Sequence, residues 1–425
     1  MARQLATGCG LIFLLLLNDP ASAQFAGGGQ AGAGQVGAAP PAPVRKTIED
    51  DGISAYTITD LGTLPDSAAA SVATAATPPA WIHWQPESVG GINARGDVAL
   101  NFVRTAGGKR IGIYSAGTGK CVVLSLPVAA PQSQFRAIGL ADSGEVLGAT
   151  DSAGSITGPL HPIFWKKTGP PDIFDEKDDN NRPQTGDSVT VNALSPNGLY
   201  TAGSIFFNGV GPTLAYWESG TLHHTDPLGQ GMFQSWGVSS SGEVVGAAAP
   251  PYDDAHPLTT SIAFQWVSGS LQPLSPALAG ANCGARAVNA GGDVAGWSET
   301  LDVIVVHWKG VHAVLWKNSQ VKDLGTLGGA SSTATAINDA GQIVGYAEAG
   351  PNGPGQAFLW ESGKMRSLAS LIPPSTGWTL GEAQVNYGGE GFLVINARGQ
   401  IAGVGRRDSQ PHAFLLTPRA LIEKK

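Results

Sequence analysis

Seven short polar turns, each closed by glycine and followed at once by an apolar run, punctuate this chain at a nearly constant interval. They read Asn93-Ala94-Arg95-Gly96, Ala141-Asp142-Ser143-Gly144, Ser195-Pro196-Asn197-Gly198, Ser239-Ser240-Ser241-Gly242, Asn289-Ala290-Gly291-Gly292, Asn338-Asp339-Ala340-Gly341 and Asn396-Ala397-Arg398-Gly399. Successive turn glycines lie 48, 54, 44, 50, 49 and 58 residues apart. A self-similar period of this size builds a stack or a ring from one supersecondary unit, since a single unit cannot bury its own apolar faces.

The turns have a local explanation. Asn or Ser at the first position caps a type I turn, and glycine at the fourth takes the positive φ that closes a hairpin with a bulge. Pro196 fits the second position, where φ near −65° is wanted. The run that follows contains a second glycine, at Gly148, Gly246, Gly296, Gly345 and Gly403, four residues after the turn glycine. Glycine inside a strand marks a bulge or a close approach of another backbone. The first unit has Leu100 at this place, and in the third unit the glycine slips to Gly203.

A second apolar run follows, usually ending in tryptophan: Trp165, Trp217, Trp266, Trp316 and Trp360, with Leu416 in the last unit and Tyr114 in the divergent first one. A third run comes after a short polar turn, as in Gln320-Val-Lys-Asp-Leu324. With the apolar run that leads into each turn, these make four strands in about fifty residues, the content of a four-stranded propeller blade. The predicted fold is all-β, a single propeller of seven four-stranded blades.

The chain ends also predict how that ring closes. The last unit stops at His412-Ala-Phe-Leu-Leu416 and lacks its fourth strand. Tyr56-Thr-Ile-Thr-Asp-Leu-Gly-Thr-Leu64 precedes the first unit and closely matches Val321-Lys-Asp-Leu-Gly-Thr-Leu327, the fourth-strand segment of the fifth unit. Pairing the two termini would supply the missing strand and leave no open sheet edge at the seam. The propeller is therefore assigned to residues 53–418, with a charged tail at 419–425.

Residues 1–23 read as a signal peptide: Arg3, the apolar Leu11-Ile-Phe-Leu-Leu-Leu-Leu17, and a small-residue cleavage site at Ala21-Ser-Ala23. Residues 24–52 are Gly/Ala/Pro-rich and read as a flexible linker. An exported chain, periplasmic or extracellular, is expected, and no other stretch is apolar enough to span a membrane. Charged residues make up 14% of the chain, against about 25% in average soluble proteins, and 59 of 425 residues are glycine, in keeping with many turns. The net charge of −8 with no basic patch argues against nucleic acid as a partner. Cys121 and Cys283 fall in blades one and five, too far apart to bridge, so two separate thiols are expected.

Three segments together resemble the repeat of the extracellular HAF-repeat proteins: Leu324-Gly-Thr-Leu-Gly-Gly329, Ala336-Ile-Asn-Asp-Ala-Gly-Gln-Ile-Val-Gly345 and Gln356-Ala-Phe-Leu-Trp360. The ending Pro411-His-Ala-Phe-Leu-Leu-Thr-Pro418 is similar to the way such chains finish. The match is strong over residues 316–418 and at the turns elsewhere. It implies a secreted bacterial repeat protein and carries over no catalytic residues.

Chemical candidates are few. His161, His312 and His412 share one phase of the repeat, which predicts a repeated packing or hydrogen-bonding role. His307 with His312, and the adjacent His223 and His224, lack a third ligand at zinc-site spacing. The stretch Asp175-Glu-Lys-Asp-Asp-Asn-Asn181, continuing to Asp187, has oxygen ligands that calcium could take but not the spacing of a calcium loop. The repeated tryptophans read as packing between blades.

Two insertions, residues 65–89 and 369–391, interrupt the repeat ahead of the first strands of blades one and seven, which are neighbours in a closed ring. They carry Trp81, Trp84, Trp378 and Tyr387, the candidate binding surface, because insertions on one face of a repeat protein often form its binding face.

The leading functional expectation is a secreted or envelope-associated binding scaffold for an extracellular protein or glycan. The alternative is a propeller hydrolase acting on an extracellular polymer. For the latter, Asp339-Ala-Gly341 and Asp142-Ser-Gly144 match the middle of the sialidase turn Ser-x-Asp-x-Gly-x-x-Trp. The match fails at the tryptophan position (Val344, Leu147) and the serine position (Ile337, Leu140). No sequence signal identifies a catalytic group, a metal or a cofactor.

Overall fold

Each turn glycine expected to take positive φ does so, from +71° at Gly399 to +99° at Gly144, and each donates its N–H to the carbonyl of the first turn residue at 2.9–3.2 Å. Seven such hairpins set the inner half of seven antiparallel blades. The computed structural model describes residues 55–62, 84–103, 108–125, 135–151, 160–166, 171–173, 188–206, 212–225, 232–249, 261–274, 277–278, 282–300, 310–350, 353–381 and 393–422.

Blade six is the regular example. Its strands run in chain order from the axis outward: Ser332–Ile337 (a), Ile343–Glu348 (b), Gly355–Glu361 (c) and Lys364–Ser367 (d). Blades one to five follow the same order over residues 85–123, 135–173, 188–225, 232–273 and 283–323, and a single backbone pair, Val189 with Leu160, joins blades two and three. In blade seven the innermost position is shared by Trp378–Thr379 and Val394–Ile395, both paired with Ile401–Arg407, which in turn pairs with Gln410–Pro418. The outermost strand is the N-terminal Tyr56–Gly62, antiparallel to Gln410–Pro418 from Tyr56 opposite Pro418 to Gly62 opposite Ala413. The ring is thus a seven-bladed β-propeller closed by its own termini, as expected from the duplicated Asp-Leu-Gly-Thr-Leu segment.

In blades two to six the second glycine is explained by a bulge. In blade six the inner strand skips a residue between Ala334 and Ala336, opposite Gly345 and Val344. The bulge pushes the Thr333 carbonyl against strand b, so a Cβ on Gly345 would sit 2.0 Å from that oxygen. Gly203, Gly246 and Gly296 face the same obstacle at 1.9–2.1 Å. The slip in the third unit has a simple origin: Ser195 N–H bonds to the carbonyl of Tyr200, five residues on, where the other turns close four residues on. The additional residue is Leu199, which is 49% exposed.

The core is divided into seven apolar clusters, one at each contact between neighbouring blades. Trp165, Trp217, Trp266, Trp316 and Trp360 are all buried in them, the packing role read from their phase. Cys121 and Cys283 are both unbridged, and burial raises both thiols, that of Cys121 to about 12.

The turn asparagines do more than cap. Asn338 Oδ1 accepts N–H groups from Ala340 and Gln342 of its own turn, while its Nδ2 donates to the carbonyl of Asn396 in blade seven at 3.0 Å. Asn289 donates in the same way to Asn338 at 3.1 Å, and Asn396 to Asn93 of blade one at 2.9 Å, across the seam of the ring. Blades two to four use other atoms for similar links, such as Asn197 Nδ2 to the Ser240 carbonyl.

Candidate functional site

Antiparallel order sorts the connections onto two faces. One face carries the a-to-b turns and the c-to-d turns. Four of the latter are two-residue turns with both φ positive or glycine-assisted: Ser219-Gly220, Ser268-Gly269, Asn318-Ser319 and Ser362-Gly363. The b-to-c and d-to-a connections leave strand ends at the opposite face and include every connection longer than six residues except 380–393, which links the two parts of blade seven's innermost position. Both sequence insertions belong to this second group, between consecutive blades and ahead of the innermost strand. The acidic stretch 175–187, between blades two and three in the sequence, lies outside the described residues.

The four proposed surface residues separate on inspection. Trp84 is 3% exposed, packed in the cluster between blades seven and one with its ring 5.2 Å from the Arg110 guanidinium carbon. It is core, which corrects its assignment to an exposed surface. Trp378 is half-buried and paired opposite Arg407, with its ring edge-on to His412 and Phe414. Trp81 and Tyr387 lie outside the described residues. The insertions are also shorter than they read. Residues 85–89 are part of the strand Gln85–Ile92, and Leu371, Ile372 and Leu380 are buried between blades six and seven.

Two of the phased histidines, His312 and His412, form a cross-strand clamp. His312 Nδ1 lies 2.8 Å from Asp323 of strand d, whose other oxygen accepts the Gly325 N–H at 2.7 Å. At the seam the arrangement recurs: His412 Nδ1 is 3.0 Å from both oxygens of Asp60, and Gly62 N–H donates to Asp60 at 2.8 Å. Arg407 adds a 2.6 Å charge-assisted bond to Asp60, making this the more elaborate copy. Burial alone would raise the Asp60 carboxyl, but the bonds from His412, Arg407 and Gly62 outweigh it and hold the pKa below its ordinary value. Stability linked to a depressed carboxyl is present above the unfolded pKa, near 3.9, and is lost as pH falls through the folded value. Asp60→Asn should therefore cost roughly 1–3 kcal/mol at neutral pH in urea unfolding. That deficit should shrink below about pH 4. Asp323, with its side chain 41% exposed against 15% for Asp60, should give a smaller deficit. A pH-independent deficit for Asp60→Asn would refute the ionic account.

His223 stacks on Tyr216 with ring centroids 4.9 Å apart, while His307 lies outside the described residues. Among the described residues no group of three or more His, Cys, Asp and Glu gathers to hold a metal.

Six of the seven blades carry a half-buried residue at one register position of the innermost strand, and in blade seven that position is the buried Leu393. Gly90, Ile138, Asn192, Trp236, Arg286 and Thr335 each stand three residues before the first turn residue, at the bulge of the innermost strand. Each is partly accessible, whereas the residue immediately before it is buried. Partial accessibility thus recurs at one register position of the strands nearest the axis. Asn192 donates to the Ser235 carbonyl of the next blade at 2.9 Å, and Thr335 to that of Leu393 in the next at 3.0 Å. Trp236 reaches from blade four over the blade-five strand, where the Arg286 guanidinium carbon is 4.2 Å from its ring centroid. Sequence reading missed this pair, although the fixed offset from each turn was a signal that could have found it.

Comparison with known proteins places the fold and goes no further. No protein-family model matches the chain, and no curated protein matches it in sequence. The β-propeller domain of the Trilobed protease from Pyrococcus furiosus is similar at a TM-score of 0.51 and 8% identity, over 78% of this chain and 94% of that one. That domain has an open velcro topology, whereas the present ring is closed by Tyr56–Gly62. Acylaminoacyl peptidase of Pyrococcus horikoshii gives a TM-score of 0.46 at 11% identity, over 80% of this chain and 53% of that one, so the propeller spans about half of that protein. TolB of Acinetobacter baumannii gives 0.37 at 11% identity, over 72% and 75%. Among the described residues no helix is long and apolar enough to cross a membrane.

Proposed function

We propose that this chain is an exported binding scaffold of the HAF-repeat kind, which recognises an extracellular protein or glycan through the face that carries its long connections. The observation behind this reading is the asymmetry of the ring. Short turns linked by hydrogen bonds close one face, while connection length varies widely on the other. A rigid frame with variable connections on one face is suited to recognition, because the frame bears the folding energy and leaves the connections free to differ.

The test begins with the mature chain on a polysaccharide, peptidoglycan-fragment and surface-protein array. Residues 65–83 and, separately, 382–391 are then replaced by a short Gly-Asn turn. These are the parts of the two insertions outside the described strands. Each replacement should leave the thermal midpoint within a few degrees and weaken the strongest array signal at least about tenfold. Unchanged binding by both variants would remove this face from the account. Recovery of a chain beginning at Gln24 from the medium or periplasm would support export, and retention of residues 1–23 in the cytoplasm would count against it.

A further inference from the structure

We infer that the turn Asn396-Ala397-Arg398-Gly399 is a binding site for a carboxylate presented by an acidic turn of a partner polypeptide. The site lies on the face of short turns and stands whether or not the long connections recognise anything.

The repeat supplies its own control. Three of the seven turns begin Asn-Ala, at Ala94, Ala290 and Ala397, and the first two receive an aspartate from the next blade. Ala94 N–H donates to the Asp142 carboxylate at 2.6 Å, and Ala290 N–H to that of Asp339 at 2.9 Å. Asp142 and Asp339 are each the second residue of their own turn. Around the ring, the corresponding neighbour of Ala397 is Ala94, which has no side-chain oxygen to offer. The two turns are held side by side by the bond from Asn396 Nδ2 to the Asn93 carbonyl at 2.9 Å. Among the described residues nothing accepts the Ala397 N–H.

The arginine is the second support. Asn-Ala-Arg-Gly occurs in full twice, at 93–96 and 396–399. In the first copy Arg95 is engaged on two sides: Nε donates to Asp97 at 2.9 Å, and a terminal N–H donates to the carbonyl of Asp142. In the second copy Gln400 stands where Asp97 does, and its side-chain amide is engaged with Asn396 and Thr417. Arg398 is exposed, and its guanidinium has no partner among the described residues. The same four residues thus keep both donors in blade seven and lack both acids. The turns of blades four and six also meet no acid from the next blade, but their third residues are Ser241 and Ala340, so neither sets a cation beside its N–H.

These two donors fix the ligand class. A backbone N–H and a guanidinium on consecutive residues suit the two oxygens of one carboxylate, and such charge-assisted bonds are roughly twice as strong as neutral ones. The carboxylate in both complete copies belongs to an aspartate on a β-turn, which is the form in which a partner would offer it. Ala397 and Arg398 are both exposed, so the group can reach them from outside.

A blocked aspartate, N-acetylated and methylamidated, is the probe, with the blocked asparagine as its neutral analogue. The mature chain is labelled with heavy nitrogen at alanine, so that the amides of Ala94, Ala290 and Ala397 are followed together by NMR at constant ionic strength. The Ala397 amide should shift saturably with a Kd of about 30 mM or tighter, while the two amides already bonded to aspartate stay in place. The asparagine analogue should bind at least about tenfold more weakly. Ala94→Asp, which supplies the carboxylate from within the chain, should weaken the probe about fivefold or more, as should Arg398→Gln, with Arg398→Lys falling between. No saturable shift at Ala397 overturns the proposal, as does unchanged binding by Ala94→Asp. Should Ala94→Asp fail to fold by circular dichroism, Arg398→Gln and the ratio of aspartate to asparagine binding decide, and a ratio near one overturns the proposal. Glucuronate bound tenfold more tightly than the blocked aspartate would overturn the assignment to a polypeptide.

Discussion

Deleting residues 53–64 should turn one cooperative unfolding transition into a broad, early one. The segment includes the whole fourth strand of blade seven, and its apolar side chains serve two contacts at once. Tyr56 and Ile58 are buried between blades six and seven, and Leu61 between blades seven and one, each 6% exposed or less. Burying three such side chains contributes about 5–9 kcal/mol at the usual 1.5–3 kcal/mol each. That rivals the ~5–15 kcal/mol of net stability of a whole domain. Removing the strand also leaves His412 and Arg407 without Asp60 and exposes the full edge of Gln410–Pro418, an invitation to aggregation. Thermal unfolding followed by circular dichroism, with limited proteolysis at 25 °C, reads the effect. A truncated chain that melts at the parental temperature in one step would show that the seam contributes little.

Gly246→Ala is the point substitution expected to do most damage. Its Cβ would lie 1.9 Å from the Gln234 oxygen and 2.8 Å from the Gln234 carbon, both backbone atoms in the middle of an inner strand. No flexible side chain can yield, so the bulge itself must move, at a cost of about 3 kcal/mol or more. Gly269→Asn is the contrast. Its φ is +84° but nothing lies within 4 Å of the added Cβ, so only the backbone preference is lost, about 1 kcal/mol or less for Asn. Urea unfolding of both variants separates the two reasons for glycine. Equal costs would mean that the bulge is softer than its contacts suggest.

What could be read from the residues was the chemistry that acts locally. Asn or Ser with glycine three places later, repeated at a near-constant interval, favours a type I turn, and a strand glycine reports a close backbone, so the hairpins, bulges and blade count were legible in the sequence. The closure was legible because the same five residues, Asp-Leu-Gly-Thr-Leu, occur at 60–64 and 323–327 and carry the same Asp clamp. Trp84 shows the limit. Nothing adjacent in the chain reveals that it shares a cluster with Ala402, Ala413 and Leu415, because that cluster forms only when blade seven meets blade one. Likewise Arg286 and Trp236 are 50 residues apart, and only the bulge common to their strands brings them to one axis.

The Asn289, Asn338, Asn396 and Asn93 series has an implication for how such a chain can lengthen or shorten. Each of the first three asparagines carries a plug for the next copy, its amide N–H, and each of the last three offers a socket to the copy before, its own carbonyl. A gene segment encoding one copy therefore brings both halves of the joint with it, and duplication needs no new fitting at either end. What such a joint does not do is count. The count is held instead by the one copy whose outer strand lies at the far end of the chain, because the ring closes only where that strand meets Gln410–Pro418.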